Sequence, residues 1–434
     1  MFTQAQNLLR KTHAYTHTFW WRLSLYFLAT ITIPLSITFL MLRQRRFLES
    51  VNMYFGNGRF TPLEVLSAHQ NLVLVLAGII IISAWAWGAI SDKVGRRPIF
   101  SVGFLLMAIG LAPLPRIGIT FNQVYLYQSL FALGFAAAAT MLTTSFADLF
   151  AKPILGRAAS LTVVGIVLAL LIHDFFLGQP LLNLLSGLQL NNYRHIYKNY
   201  LAVAALNFLM AILIIFGYPQ QPNPTTDQRK KWVQLTREAF SSVRNSKIAL
   251  AFVGAFISRG TFISYLLFFY RWLLTLLVIF PDGIDKIEIR EFTAYRVLQI
   301  VTVLSTLAFG FVVDYVQRKT AVILALTFSA IGLGSTLFLQ GLPLIFLYLA
   351  VAFIGLGIVC TMIASNALIA ELAPPNSRGA IIGIFTSCAA LGIFASVGAE
   401  KQLAHQNLRL GLMLPFSFLG LISLLALIIY RIRH

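Results

Sequence analysis

Carboxylates are scarce in this chain: 14 Asp and Glu stand among 434 residues. Charged residues of both signs make up 11% of the sequence, where an ordinary soluble domain carries about 25%. A soluble protein of this size could hardly cover its surface with so few charges. Cysteine is scarcer still. Cys360 and Cys388 both sit inside apolar runs, which argues against a disulfide framework or a zinc site. The chain lacks a Gly-x-x-x-x-Gly-Lys phosphate loop, so ATP-driven work within it is unsupported. It also lacks a nucleophile or metal-ligand constellation, and no enzyme activity, metal or cofactor is expected. A cleavable signal peptide is not expected either, because the first apolar run is too long for one.

Apolar residues fill the space left by these absences, at 58% of the chain. They come in long runs. Ile99 to Pro115, Val124 to Phe146 and Ala158 to Ile172 contain no Arg, Lys, Asp or Glu, and such lengths match the ~20 residues that cross a bilayer core. Hydropathy predicts six spans at 20–42, 70–90, 98–114, 123–147, 158–178 and 199–218. Six more follow at 248–270, 297–313, 320–338, 344–368, 379–398 and 410–430. The expected fold is therefore all-α and integral to the membrane, with twelve transmembrane helices. The expected division is 1–218 for a first six-helix bundle, 219–247 for a basic linker and 248–434 for a second bundle. In the linker, Trp232, Leu235, Ala239, Phe240 and Val243 recur at helical spacing, which predicts an amphipathic surface helix.

The formal net charge is +19. The basic residues form short clusters between apolar runs, the pattern of membrane flanks rather than of a nucleic-acid-binding face. With an even number of spans both termini share one side. The loops on that side hold 18 Lys and Arg against 13 opposite, which places both termini in the cytoplasm. In a prokaryote the membrane would be the inner one. The misfit is the expected first outer loop, where Arg43, Arg45 and Arg46 stand together.

The sharpest motif follows the second span: Gly88-Ala-Ile-Ser-Asp92-Lys-Val-Gly95-Arg96-Arg97-Pro98. Gly95 permits a left-handed turn and Pro98 suits the first turn of the next helix. A second copy, Gly310-Phe-Val-Val-Asp314-Tyr-Val-Gln317-Arg318, follows the eighth span, with Gln317 in place of the second glycine. Asp148 and Arg157 follow the fourth span, and Glu371, Arg378 and Gly379 follow the tenth. Asp92 and Asp314 lie 222 residues apart, Asp148 and Glu371 223, and Arg157 and Arg378 221. Three anchors at nearly one offset predict an internal repeat.

On these motifs the chain resembles the major facilitator superfamily. The resemblance implies two pseudo-symmetric six-helix bundles around a central cavity, rocking to expose it to alternate sides. It also implies a cytoplasmic latch, with Asp92 facing Arg96, Asp148 and the start of helix eleven at Gly379. Asp314, Arg318, Glu371 and the start of helix five would mirror it. The loss of the second glycine at Gln317 makes the Asp92 side the expected tighter one. Drug–proton exporters of that superfamily carry a helix-four arginine ahead of a glycine; here Gln128, Ser129 and Leu130 precede Gly134, so that activity is disfavoured.

Polar groups inside spans are costly and usually face a cavity or a partner. Arg259 lies near the middle of the seventh span. It suits a carboxylate or phosphate on a solute, or equally a structural pair. Thr143, Thr144, Tyr265, Tyr270, Gln299, Ser365 and Asn366 are further substrate-binding candidates. His173 and Asp174 form a candidate proton-coupling pair or an interfacial boundary. The expected function is a monomeric secondary or facilitative transporter of a small organic solute, anionic by the evidence of Arg259, with a proton as a conceivable co-substrate. A metabolite or drug exporter, a lipid flippase and a non-transporting scaffold or sensor on the same fold remain as alternatives.

Overall fold

The computed structural model describes residues 2–55, 61–117, 120–173, 193–218, 232–277, 284–336, 338, 344–404 and parts of 419–429. Its helices are α1 (Phe2–Phe55), α2 (Pro62–Val94), α3 (Arg96–Leu111), α4 (Phe121–Leu149), α5 (Leu155–Ile172), α6 (Tyr193–Gly217), α7 (Ser246–Leu277), α8 (Ile284–Tyr315), α9 (Arg318–Ser335), α10 (Leu344–Leu372) and α11 (Arg378–Ala404). Among the described residues nine of these are long and apolar enough to cross a membrane. The other two, α3 and α9, are 16 and 18 residues long and pack into the two bundles. The twelfth expected span falls mostly outside the described residues. Its described part is helical, and Gly420 there lies against Leu333 and Gly334 of α9.

Local chemistry sets the helix ends. Thr61 caps α2: its hydroxyl accepts the Glu64 N–H at 3.3 Å, and the Glu64 carboxylate accepts the Thr61 N–H at 2.7 Å. Thr120 and Gln123 repeat this capping box at the start of α4. The expected first outer loop is in fact helical, because α1 continues to Phe55. No strong breaker follows Pro34 until Gly56 and Gly58, so the helix outruns its span: Arg43 stands just inside the span's end at Gln44, and Arg45 and Arg46 just beyond it. The linker carries a helix at Trp232–Ser242. Leu235 and Ala239 are its buried positions, packed against the ends of α2 and α11, while Phe240 is exposed. Residues 219–231 lie outside the described residues.

The helices form two bundles, α1–α6 and α7 onward. Within the first, α3 lies between α4 and α6; within the second, α9 packs along α10. Buried polar groups tie the first bundle. Asn207 donates to Ser36 at 2.8 Å, and the hydroxyls of Tyr26 and Thr162 lie 2.6 Å apart. The outward faces are apolar: on α6, Phe208, Leu209, Ile212, Ile215 and Phe216 are all exposed. That surface suits lipid and not water.

Two seams join the bundles, α2 against α11 and α5 against α8. Each is closed at one end by small residues. A methyl at Gly88 would collide with the Gly379 carbonyl, and one at Gly156 with the Gly310 carbonyl. Such backbone approach is how membrane helices pack without a hydrophobic driving force between them.

Candidate functional site

The motif residues converge at that closed end. Asp92, in the last turn of α2, accepts the backbone N–H groups of Gly379 and Ala380, each at 2.9 Å. These are orphan donors at the start of α11, where the helix dipole also favours an anion. Arg96 donates to Asp92 at 3.3 Å and to Asp148 at 2.5 Å. Arg378 donates to Asp148 at 2.6 Å and to the Ala147 carbonyl at 3.1 Å. One carboxylate–arginine chain thus runs Asp92, Arg96, Asp148, Arg378 and crosses from the first bundle to the second. Arg97 is half-buried beside it and takes no part in these ion pairs.

The second copy is similar but differently wired. Asp314 accepts the N–H of Gly156 at 2.6 Å and of Arg157 at 3.1 Å, at the start of α5. Its ion-pair partner is Arg157, at 3.0 Å, and not Arg318. Arg318 pairs instead with Glu371 at 2.5 Å and reaches the Lys152 carbonyl. A 3₁₀ turn precedes α5 (Lys152–Ile154) and another precedes α11 (Pro375–Ser377). This sets the true register of the repeat: Gly156 is the counterpart of Gly379, 223 residues on. Arg157 and Arg378 therefore occupy neighbouring, not equivalent, helix positions. Gly156 carries little signal in the sequence because no second glycine or carboxylate stands beside it in Lys152-Pro-Ile-Leu-Gly-Arg157.

The two turns also differ. Gly95 sits at φ 97°, ψ 163°, a region only glycine occupies at low cost. Gln317 sits at φ −57°, ψ 126°, ordinary extended backbone. The second loop does not need a glycine, which is the physical reason for the substitution.

Between the bundles lies a cavity with an empty volume of about 1090 Å³, its open mouth included. Its walls come from α1, α2, α4, α5, α7, α10 and α11. Apolar side chains such as Ile37, Phe135, Phe146, Phe262 and Phe385 dominate it. Among the described residues Arg259 is its single charged lining residue. Among the described residues its guanidinium meets one acceptor, the Met362 Sδ at 3.6 Å, which is a weak one. Thr143 and Asn366 line the cavity too, but the Thr143 hydroxyl is spent on the Ala139 carbonyl at 3.2 Å. Thr144 and Ser365 do not line it. Both are buried and bond back to their own helices, at Thr140 and Thr361. Tyr265 and Gln299 line a separate chamber between α5, α7, α8 and α10. His173 is buried at the end of α5. Asp174 and the Tyr270 side chain lie outside the described residues. Gln128 is fully buried, donating to the Leu72 carbonyl at 2.9 Å and bonded to Gln44.

Two polar pairs at the far end of the α2–α11 seam are not marked by any motif in the sequence. Gln70 donates to the buried Glu400, and Lys401 donates to Asn71. A glutamate closing a long uncharged run was the available signal.

Two membrane-spanning bundles around a central cavity, tied at one end by a repeated carboxylate–arginine motif, define a transporter of the two-bundle type. The family model of the Major Facilitator Superfamily matches residues 60–397, and the chain belongs to that superfamily. Solved structures share the fold. The proton:xylose symporter XylE bound to 6-bromo-6-deoxy-D-glucose superposes with a TM-score of 0.70 at 16% identity, over 95% of each chain. The human organic anion transporter MFSD10 gives 0.67 at 16%, over 95% of this chain and 99% of its own. FucP in an outward conformation gives 0.69 at 14%, over 96% and 98%. No curated protein matches the sequence.

Proposed function

We propose that this protein carries a small organic anion across the membrane by alternating access, as a secondary or facilitative transporter. The observation behind it is Arg259: a guanidinium on the wall of the inter-bundle cavity, with a thioether as its acceptor among the described residues. Five N–H donors in a planar fork suit a carboxylate, sulfonate or phosphate. A permanent structural pair would require a carboxylate within reach, and among the described residues the cavity lining includes none. MFSD10 is an organic anion transporter, though likeness at 16% identity speaks for the fold alone. The Asp92 and Asp314 clusters act in this reading as latches that hold one end of the bundles together. The excess of basic residues on that side, 18 against 13, favours the cytoplasm for it. A scaffold would fill its cavity with bulky side chains, and the open volume argues for a carrier.

The test is a thermal-shift screen of the purified protein against small organic carboxylates and sulfonates, with xylose as a neutral control. A binding anion raises the melting point by mass action. Arg259→Ala should abolish the shift. Arg259→Lys, which keeps charge but loses the fork, should weaken it. A full shift in Arg259→Ala would overturn the assignment.

A further inference from the structure

The central cavity adjoins a second, largely apolar space that the anion-binding reading leaves unused. This chamber has an empty volume of about 640 Å³ and lies between α5, α7, α8 and α10. Ile166 and Phe262 line both spaces, so they form the partition. Met362 lines the chamber, and its sulfur lies 3.6 Å from Arg259 Nη1. The guanidinium therefore stands at the junction of the two.

On its other side the chamber reaches the bundle surface. Val303 lines it and is 38% exposed, and its neighbours Ile300 and Leu304 are more than half exposed. On a membrane protein that surface meets hydrocarbon. The seam geometry agrees. Near the latch end α5 and α8 approach through Gly156, Ser160 and Gly310 until their backbones nearly touch. From Val163 onward the chamber occupies the space between them.

The polar inventory narrows the ligand further. In the central cavity, Tyr26 and Thr162 satisfy each other, Thr143 bonds to Ala139 and Thr386 to Ile382. A polyhydroxylated body would meet few partners there and would strand its hydroxyl groups. Among the described residues Asn366 is the one lining residue from α10, and every other wall offers an apolar body Phe, Ile or Leu. We infer that the chamber between α5, α7, α8 and α10 holds the hydrocarbon chain of a single-chain anionic amphiphile whose headgroup sits on Arg259. The inference rests on the Arg259 reading and names the substrate class for it. The chain passes between Ile166 and Phe262, whose side chains turn aside to admit it, and its end lies near Val303, on the bilayer side.

Alkyl sulfonates from butane- to decanesulfonate test this, because their charge is permanent and only the chain varies. Binding is measured calorimetrically on protein in nanodiscs, with empty nanodiscs subtracted. In the native protein affinity should rise about fourfold per added methylene until the chamber is full. Val167→Trp and Val303→Phe each put bulk into the chamber from a different helix. Either variant should bind butanesulfonate as the native protein does, which also reports that it is folded, and should lose the gain with length. An unchanged length dependence in both variants overturns the chamber assignment while leaving Arg259 in place. Loss of the length dependence in the native protein overturns it too. Failure of every sulfonate to bind overturns the anion reading itself, and the chamber assignment with it.

Discussion

Asp92 and Asp314 make the same two backbone contacts, yet their surroundings differ. The Asp92 carboxylate and its Arg96 partner are both nearly sealed from solvent, with side-chain exposures of 4% and 6%. Asp314 is equally buried, but its partner Arg157 is 50% exposed, so that ion pair is screened and worth little. Asp→Asn at either site turns one acceptor oxygen into an amide that faces N–H donors. Leaving buried donors unpaired costs ~1–3 kcal/mol, and more beside a buried charge. Asp92→Asn should therefore lower the melting point further than Asp314→Asn, measured on the purified protein. Equal losses would show that the backbone contacts alone set the cost. Residues of this kind were legible in the sequence because a motif carries them. Arg259 was legible because a charge in an apolar run stands out. Thr144 and Ser365 were misplaced for a physical reason: a hydroxyl can satisfy itself on the preceding turn of its own helix, so its presence in a span does not say that it faces a cavity.

At the level of elements, hydropathy located the spans but not the length of α1. Apolarity ends where the membrane ends, whereas a helix ends where capping or a breaker stops it. The turns between helices show how far a motif can decay without changing the fold. Gly95 holds a backbone conformation that costs other residues ~1–3 kcal/mol, and Gln317 holds one open to any residue. Gly95→Ala should destabilise the protein by about that amount even though a methyl there meets no neighbour. Gln317→Ala should stay within ~0.5 kcal/mol. Denaturation by a graded detergent series would read both. A neutral Gly95→Ala would mean that the turn relaxes to a different path between α2 and α3.

For the whole molecule, the repeat was visible as carboxylates spaced by 222 and 223 residues, and the structure explains the spacing as one helix-start geometry used twice. Inter-bundle contacts away from the motif were not legible, because they join single residues far apart in the chain. The α2–α11 seam is the clearest case. It is bridged at one end by Asp92 with Gly379 and Ala380, and at the other by Gln70 with Glu400 and Asn71 with Lys401. A carrier that rocks must open the two ends in turn, since a cavity held shut at one end can load only from the other. The polar pairs suit that duty better than an apolar seam would. Each can exchange its partner for water when the seam parts, so opening strands none of these polar groups. A disulfide at the far end should therefore stop transport while leaving the latch end free. Cys360 and Cys388 are replaced by alanine first, and Gln70→Cys with Glu400→Cys is then introduced. Uptake of a sulfonate that binds the native protein is followed in proteoliposomes before and after oxidation. Oxidised protein should be inactive and reduction should restore it. Continued uptake by the fully cross-linked protein would show that this end of the seam stays closed throughout the cycle, and that the bundles part along α5 and α8 alone.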